Sequence, residues 1–150
     1  MVRSFFIAAC ALAVAGCSAQ AAPDYGWSFQ QNEQEGAKLA YGAPSSDDVV
    51  LMMTCAPGSG RVLLSAVTER PKEEIVLASG RARDRFSGEL LPSELGGLLL
   101  EARAEAQARS LAAFARTGKL TMAANGETVS LAAHGEERAG VSQFFQVCRA

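Results

Sequence analysis

The run VVLMMTC, from Val49 to Cys55, is the feature that most restricts how this chain can fold. Successive side chains of an extended strand point to opposite faces. Here both faces are apolar, because one carries Val49, Leu51, Met53 and Cys55 and the other carries Val50 and Met52. A strand that is apolar on both faces belongs inside a sheet rather than at its edge. The run therefore predicts a central strand.

Segments on either side of this run have the pattern of further strands. Trp27 and Phe29 alternate with polar residues, and Leu39 and Tyr41 do the same. Two later runs are RVLLSAVT, which begins at Arg61, and EIVLAS, which ends at Ser79. The stretches GAPSSDD (42–48) and APGSG (56–60) supply turn residues between strands. We expect a mainly β (α+β) domain, built as an antiparallel sheet or a β-sandwich.

Asn125 and Gly126 give the strongest local signal for a hairpin, since both residues tolerate the positive φ of a type I′ turn. Counting outward from this turn pairs Ala124 with Glu127, Met122 with Val129 and Leu120 with Leu131. One face is then apolar in both strands, so the register is consistent.

The segment between residues 98 and 118 combines two patterns. Residues 101–105 alternate with period two, yet Ala, Glu, Arg and Leu are strong helix formers. We predict a strand over 98–104 and a helix over 107–116 that ends at Gly118. The alternative is a single long helix, since the two patterns do not decide between strand and helix for residues 98–106.

A C-terminal helix is indicated by Val141, Phe144, Phe145 and Cys148, which recur at helical spacing. We expect this apolar face to pack on the sheet. Cys148 lies on that face and Cys55 ends the central strand. In an exported protein a disulfide between Cys55 and Cys148 is therefore the natural pairing.

The N-terminus has the pattern of a secretory signal, with one cation at Arg3 before a short apolar run. Two cleavage sites compete. Residues 14–17, VAGC, resemble the lipobox of bacterial lipoproteins, which would make Cys17 a lipidated first residue. Ala19-Gln20-Ala21 instead offers the pattern of ordinary signal peptidase, which would discard Cys17 with the leader.

We favour the lipoprotein interpretation, with a signal peptide over 1–16, a tether over 17–26 and one globular domain over 27–150. Ser18 follows Cys17, and by resemblance to known bacterial lipoproteins this indicates the outer membrane. The expected location is thus the periplasm, with the membrane contacted through an N-terminal lipid.

Charge and motifs favour no catalytic chemistry. The formal net charge of −2 argues against a nucleic-acid partner. His134 is the only histidine, and Ser130, Glu136 and Glu137 near it lack the surrounding motif of a hydrolase. Met52 and Met53 point to opposite faces, so they do not predict a soft-metal site. We expect no catalytic residue, no metal and no cofactor.

Arg81, Arg83 and Arg85 recur with period two, so on an extended segment they would project from one face. Such a stripe suits carboxylates or phosphates and is a candidate anion- or partner-binding surface. The alternative is a charged edge strand that resists aggregation.

By layout, the chain resembles the TagO/VasI family of small bacterial envelope proteins associated with type VI secretion. The resemblance is carried by Trp27, by Cys55, by Leu111 in SLAAFARTGKLTM and by the tail VSQFFQVC, which ends at Cys148. It implies a non-catalytic accessory that binds other envelope components, whether protein or peptidoglycan.

These observations predict an exported, lipid-anchored, non-catalytic envelope protein that acts as an interaction module. The stripe of arginines and the GAPSSDD loop are its candidate surfaces. The alternative is a small periplasmic inhibitor of a cell-wall hydrolase, a class that also consists of compact, disulfide-stapled β domains.

Overall fold

The structure is a computed structural model that describes residues 24–68, 74–93, 96–124 and 127–149. Within these ranges the chain forms nine strands and two helices. The strands are β1 (Gly26–Asn32), β2 (Gly36–Gly42), β3 (Val49–Cys55), β4 (Arg61–Thr68), β5 (Glu74–Ser79), β6 (Ala82–Pro92), β7 (Leu98–Glu105), β8 (Thr121–Ala124) and β9 (Glu127–Ser130). The helices are α1 (Arg109–Thr117) and α2 (Glu137–Arg149). The predicted signal peptide, Cys17 and most of the tether lie outside the described residues.

The described strands form one antiparallel sheet in the order β1-β2-β3-β4-β7-β6-β5-β8-β9, curled into a half-barrel. The prediction of a mainly β fold is confirmed. β3 lies between β2 and β4, as the run VVLMMTC predicted. Its inward residues Leu51, Met53 and Cys55 are buried, while Met52 and Thr54 on the outer face are only half-buried.

β6 changes its hydrogen-bonding partner along its length. Residues 82–87 pair with β5, and residues 88–92 pair with β7. The change occurs at Gly88, where a Cβ atom would collide with the carbonyl oxygen of Glu101. β7 spans Leu98–Glu105, so the prediction of a strand is confirmed and the single long helix is wrong.

Helix α1 packs against β5 and β6 on the sheet. It ends at Gly118, as predicted, where φ of 68° permits the left-handed cap and the Gly118 N–H donates to the Phe114 carbonyl. It begins at Arg109, two residues later than expected. The methyl side chain of Ala108 at the N-cap cannot accept a hydrogen bond, and the carboxylate of Asp84 on β6 accepts the Ser110 N–H over 2.6 Å instead.

Helix α2 packs against β1 and β2 with the four predicted apolar residues buried. Its last turn is joined to the end of β3 by the disulfide between Cys55 and Cys148, whose Cα atoms lie 5.8 Å apart. The predicted pairing of these cysteines is therefore present in the structure.

The core centres on Trp27, Phe114 and Phe145. The Trp27 ring centroid lies 5.1 Å from that of Phe114, and Phe114 meets Phe145 edge-on at 6.1 Å. The Trp27 indole N–H donates to the carbonyl oxygen of Leu131, just beyond β9. Because β1 and β9 are opposite ends of the sheet, this bond joins the two ends of the half-barrel.

The hairpin of β8 and β9 has the predicted register. Met122 pairs with Val129 and Ala124 pairs with Glu127, and the Leu131 N–H donates to the Leu120 carbonyl. The turn residues Asn125 and Gly126 themselves lie outside the described residues.

Candidate functional site

A groove of about 710 Å³ lies beside the GAPSSDD loop. Residues 43–47 form one wall of the groove. Its floor is the outward face of β1, β2 and β3, represented by Ser28, Gln30, Lys38 and Met52. Asp24 and Tyr25, where the described chain begins, lie at one end. We call this groove the trough.

The wall of the trough is held in shape by its own hydrogen bonds. The Ala43 N–H donates to the Asp48 carbonyl over 2.9 Å, and the Ser46 hydroxyl donates to the Ala43 carbonyl over 3.1 Å. The Asp48 N–H in turn donates to the Ser46 hydroxyl. Ser45 has φ of 55°, the only positive value for a non-glycine residue in the described chain. Strained backbone of this kind persists where neighbouring contacts fix it, so the wall is preformed.

Tyr25 connects the first described residues to this wall. Its hydroxyl donates to the carboxylate of Asp48, and its ring stacks on that of Tyr41 with a centroid separation of 6.2 Å. The hydrogen bond to Asp48 raises the pKa of the Tyr25 hydroxyl above 10.0. Burial, followed by the charge of Glu137, raises the pKa of Tyr41. Both phenols are therefore protonated near neutral pH, and Tyr25 keeps the proton that it donates to Asp48.

A second cavity of about 220 Å³ continues the trough along the strands. It shares Gln30, Lys38 and Met52 with the larger one and reaches Asn32 at the end of β1 and Glu35 in the turn that follows. A strand of seven residues such as β1 is about 23 Å long at about 3.3 Å per residue. The combined channel therefore follows the strands and suits an extended ligand rather than a compact one.

The groups along the trough are suited to hydrogen bonding. Asp24, Asp47 and Glu137 contribute carboxylates to the larger cavity, and Lys38 is the one cation among its described lining residues. Hydroxyl and amide groups come from Ser28, Gln30 and the loop. This balance favours neutral polar or cationic groups over anions.

The three predicted arginines are all exposed. Arg83 and Arg85 lie on the outward face of β6, and Arg81 lies in the turn before it. Arg85 forms an ion pair with Glu74 at 3.3 Å. This half of β6 hydrogen-bonds to β5. Both interpretations of the arginines, as an anion- or partner-binding surface and as a charged edge that resists aggregation, stay predictions.

The residues around His134 have a structural role. The carboxylate of Glu137 accepts the backbone N–H of His134 over 2.8 Å, which caps the start of α2. Among the described residues, no three His, Cys, Asp or Glu side chains are grouped so that they could hold a metal ion.

Neither helix of the described chain is long and apolar enough to cross a bilayer. No protein-family model matches the sequence, and comparisons with curated proteins and with solved structures find no significant similarity. The resemblance to the TagO/VasI family accordingly stays a prediction.

Sequence reasoning identified the loop but missed the floor of the trough. The floor is made of outward residues on three strands, which share no motif and look like ordinary solvated positions. The alternation of Trp27 and Phe29 with polar residues was the available signal, because it indicates which residues of β1 face outward.

Proposed function

We propose that this protein is exported to the periplasm, anchored in the outer membrane by lipid on Cys17, and acts as a non-catalytic interaction module of the envelope. Its binding site is the trough. The observation that carries this proposal is the preformed 43–48 loop above an elongated polar channel.

The position of the trough supports an anchored mode of action. Asp24 lines it, and only seven residue steps separate Asp24 from Cys17. Whatever the conformation of that segment, it spans at most about 25 Å at about 3.5 Å per residue. Lipid on Cys17 would therefore keep this end of the trough close to the membrane surface, where it meets other membrane-attached components.

The partner favoured by the trough is an extended polar chain, such as a peptidoglycan strand or a segment of an envelope protein. Arg81, Arg83 and Arg85 offer a second surface, on another part of the sheet, for acidic groups of the same partner. Because one surface favours neutral or cationic groups and the other favours acidic groups, together they would fix the orientation of the bound partner as well as increase its affinity.

The anchor is tested by the intact mass of the protein from separated membrane and soluble fractions of its host. A membrane-bound species that begins at Cys17 and carries acyl chains supports the anchor. A soluble species that begins near Ala22 would overturn it and leave the trough proposal to be judged separately.

The trough is tested by photo-crosslinking in cells. A photoreactive amino acid replaces Gln30 on the floor, and the matched control replaces Thr128, an exposed residue on the other end of the sheet. We expect a discrete adduct from position 30 that is absent from position 128. Identical adduct patterns, or no adduct from position 30, would contradict the proposal.

Inhibition of a cell-wall hydrolase is the second candidate. The rigid 43–48 loop and the disulfide from β3 to α2 favour it, because a preorganised loop can enter a cleft at low entropic cost. A muramidase assay separates the two functions. Inhibition that is weakened by Ser46→Ala, which removes two hydrogen bonds of the loop, and retained by His134→Ala would favour the inhibitor.

A further inference from the structure

A second, unrelated cleft lies between the end of α1 and the start of α2. Its volume is about 370 Å³. The residues that shape it are Arg116, Gly118, Gly135, Arg138 and Ser142, and none of its described lining residues is acidic. This makes it different from the trough, which contains three carboxylates.

We propose that this cleft binds a single oxyanion group, a carboxylate or a phosphate, between the guanidinium groups of Arg116 and Arg138. We call it the oxyanion cleft. The inference is independent of the trough and does not rest on the proposed function.

The fold brings the two arginines together. Arg116 belongs to the last turn of α1, and Arg138 is the second residue of α2. Gly118, which follows α1, and Ala133, which precedes α2, are tied to each other, because the Ala133 N–H donates to the Gly118 carbonyl over 2.7 Å. The separation of the two side-chain origins is therefore fixed by backbone.

Gly118 keeps room for Arg138. A Cβ atom at position 118 would lie 3.1 Å from Cγ and 3.2 Å from Nε of Arg138. The arginine side chain thus lies against the bare glycine backbone, which limits its freedom. A guanidinium that is already positioned loses less entropy when it binds an anion.

Within the described part of the chain, neither arginine forms an ion pair with a carboxylate. The ion pairs there are Arg85 with Glu74 and Arg109 with Asp84. The carboxylate of Glu137, the residue before Arg138, accepts a hydrogen bond from the backbone N–H of His134. Two guanidinium groups with ten N–H donors between them therefore have donors available for an oxyanion.

Ser142 adds a third donor one turn along α2. Its hydroxyl oxygen accepts a hydrogen bond from the Gln146 side chain over 3.4 Å. The hydroxyl proton of Ser142 can therefore be donated toward the cleft. Two cationic forks and a hydroxyl are a common protein arrangement for carboxylate and phosphate recognition.

The test is a titration of the intact ¹⁵N-labelled protein with inorganic phosphate and, separately, with acetate, at constant ionic strength set by chloride. We expect the amide chemical shifts of Gly118, Gly135 and Ser142 to change with anion concentration and to reach a plateau. The double variant Arg116→Gln/Arg138→Gln should weaken binding at least about tenfold, because it removes both charge-assisted contacts. The matched control Arg61→Gln/Arg103→Gln removes two exposed arginines of the outer sheet face and should bind as the unaltered protein does.

The outcomes separate the ligand sources and the structural alternative. Saturation by phosphate alone assigns a phosphate ligand, and saturation by both anions assigns a carboxylate-tolerant site. Arg138→Lys, which keeps the charge and loses the fork, should bind more weakly while retaining the thermal stability. Linear shifts without saturation, or equal shifts in the double variant, would overturn the proposal and leave Arg138 as a residue that only stabilises the end of α1.

Discussion

The indole N–H of Trp27 donates to the carbonyl oxygen of Leu131 over 2.8 Å, across a separation of 104 residues in sequence. This bond joins the first strand of the sheet to the segment that follows the last one. Leu131 is fully buried, so water cannot replace the indole as a donor to its carbonyl. The aromatic ring also packs on Phe114.

Trp27→Phe should therefore lower the free energy of unfolding by about 2 kcal/mol or more, because a buried acceptor loses its donor and the smaller ring fills less space. Urea unfolding followed by circular dichroism measures this, since the variant lacks the only tryptophan. Val67→Ala is the control, because Val67 is 48% exposed and should change stability by less than about 0.5 kcal/mol. Equal effects of the two substitutions would show that the bond to Leu131 contributes nothing.

Removal of the disulfide by Cys55→Ala/Cys148→Ala should lower the free energy of unfolding by about 4.6 kcal/mol in the chain-entropy model. The reason is the 93-residue separation of the two cysteines, which makes the closed loop long. Chemical denaturation of the oxidised protein and the variant measures the difference. An unchanged midpoint would mean that the bond does not restrict the unfolded chain.

Asp84 caps α1 from a different element, and this gives a pH-dependent contribution. Burial raises the pKa of its carboxyl, but hydrogen bonding from Ser110 and the charge of Arg109 outweigh burial, so the pKa lies below 3.8. A lowered folded-state pKa means that the stabilisation is complete above the ordinary carboxyl pKa and is lost as the pH falls through the folded value.

Asp84→Asn should thus cost about 1 kcal/mol near neutral pH, because the Ser110 N–H would donate to a neutral acceptor instead of a charged one, and the deficit should shrink as the pH falls below 3.8. Thermal melts between neutral and acidic pH measure this. The exposed Glu89→Gln serves as the control. A deficit for Asp84→Asn that is constant with pH would contradict the assigned capping role.

Gly88→Ala should disrupt the point where β6 exchanges β5 for β7. A Cβ atom there meets the backbone oxygen of Glu101, which cannot move without displacing β7. We expect a loss of more than about 2 kcal/mol in unfolding free energy. Gly80→Ala is the matched control, because its Cβ would meet open space and only its φ of 60° is unfavourable, at about 1 kcal/mol. The reverse ranking of the two variants would contradict the close approach.

The two tyrosines of the chain can be titrated together by ultraviolet absorbance, and both should ionise above pH 10.0. Asp48→Asn should lower the pKa of Tyr25 toward 10.0 and leave Tyr41 largely unchanged. Because the folded-state pKa of Tyr25 is raised, its contact with Asp48 stabilises the loop below pH 10 and is lost as the pH rises through the raised value. Two unshifted titrations would show that Tyr25 does not hold the wall of the trough.

Local patterns in the sequence predicted much of the fold. The apolar run of β3, the register of the β8–β9 hairpin and the spacing of Phe144, Phe145 and Cys148 each report side-chain burial within one element or one turn. Burial is set by period and composition, so these features can be deduced from a single chain.

Features that depend on the meeting of distant elements were not predictable. The cap of α1 comes from Asp84, 26 residues before Ser110, and a sequence search for a cap beside Ala108 finds none. Likewise, the trough needs the outward faces of three strands to align below one loop. Such contacts follow from topology, which periodicity does not specify.

The same long-range ties determine when the domain can close during synthesis. Trp27 meets its acceptor only when Leu131 is available, and Cys55 meets its partner only with Cys148. During synthesis the N-terminus emerges first. β1 therefore lacks its hydrogen bond to Leu131, and β3 lacks its disulfide, until nearly all of the chain has followed. Until these two contacts form, the incomplete domain is open to proteolysis, and its susceptibility should fall once both are in place.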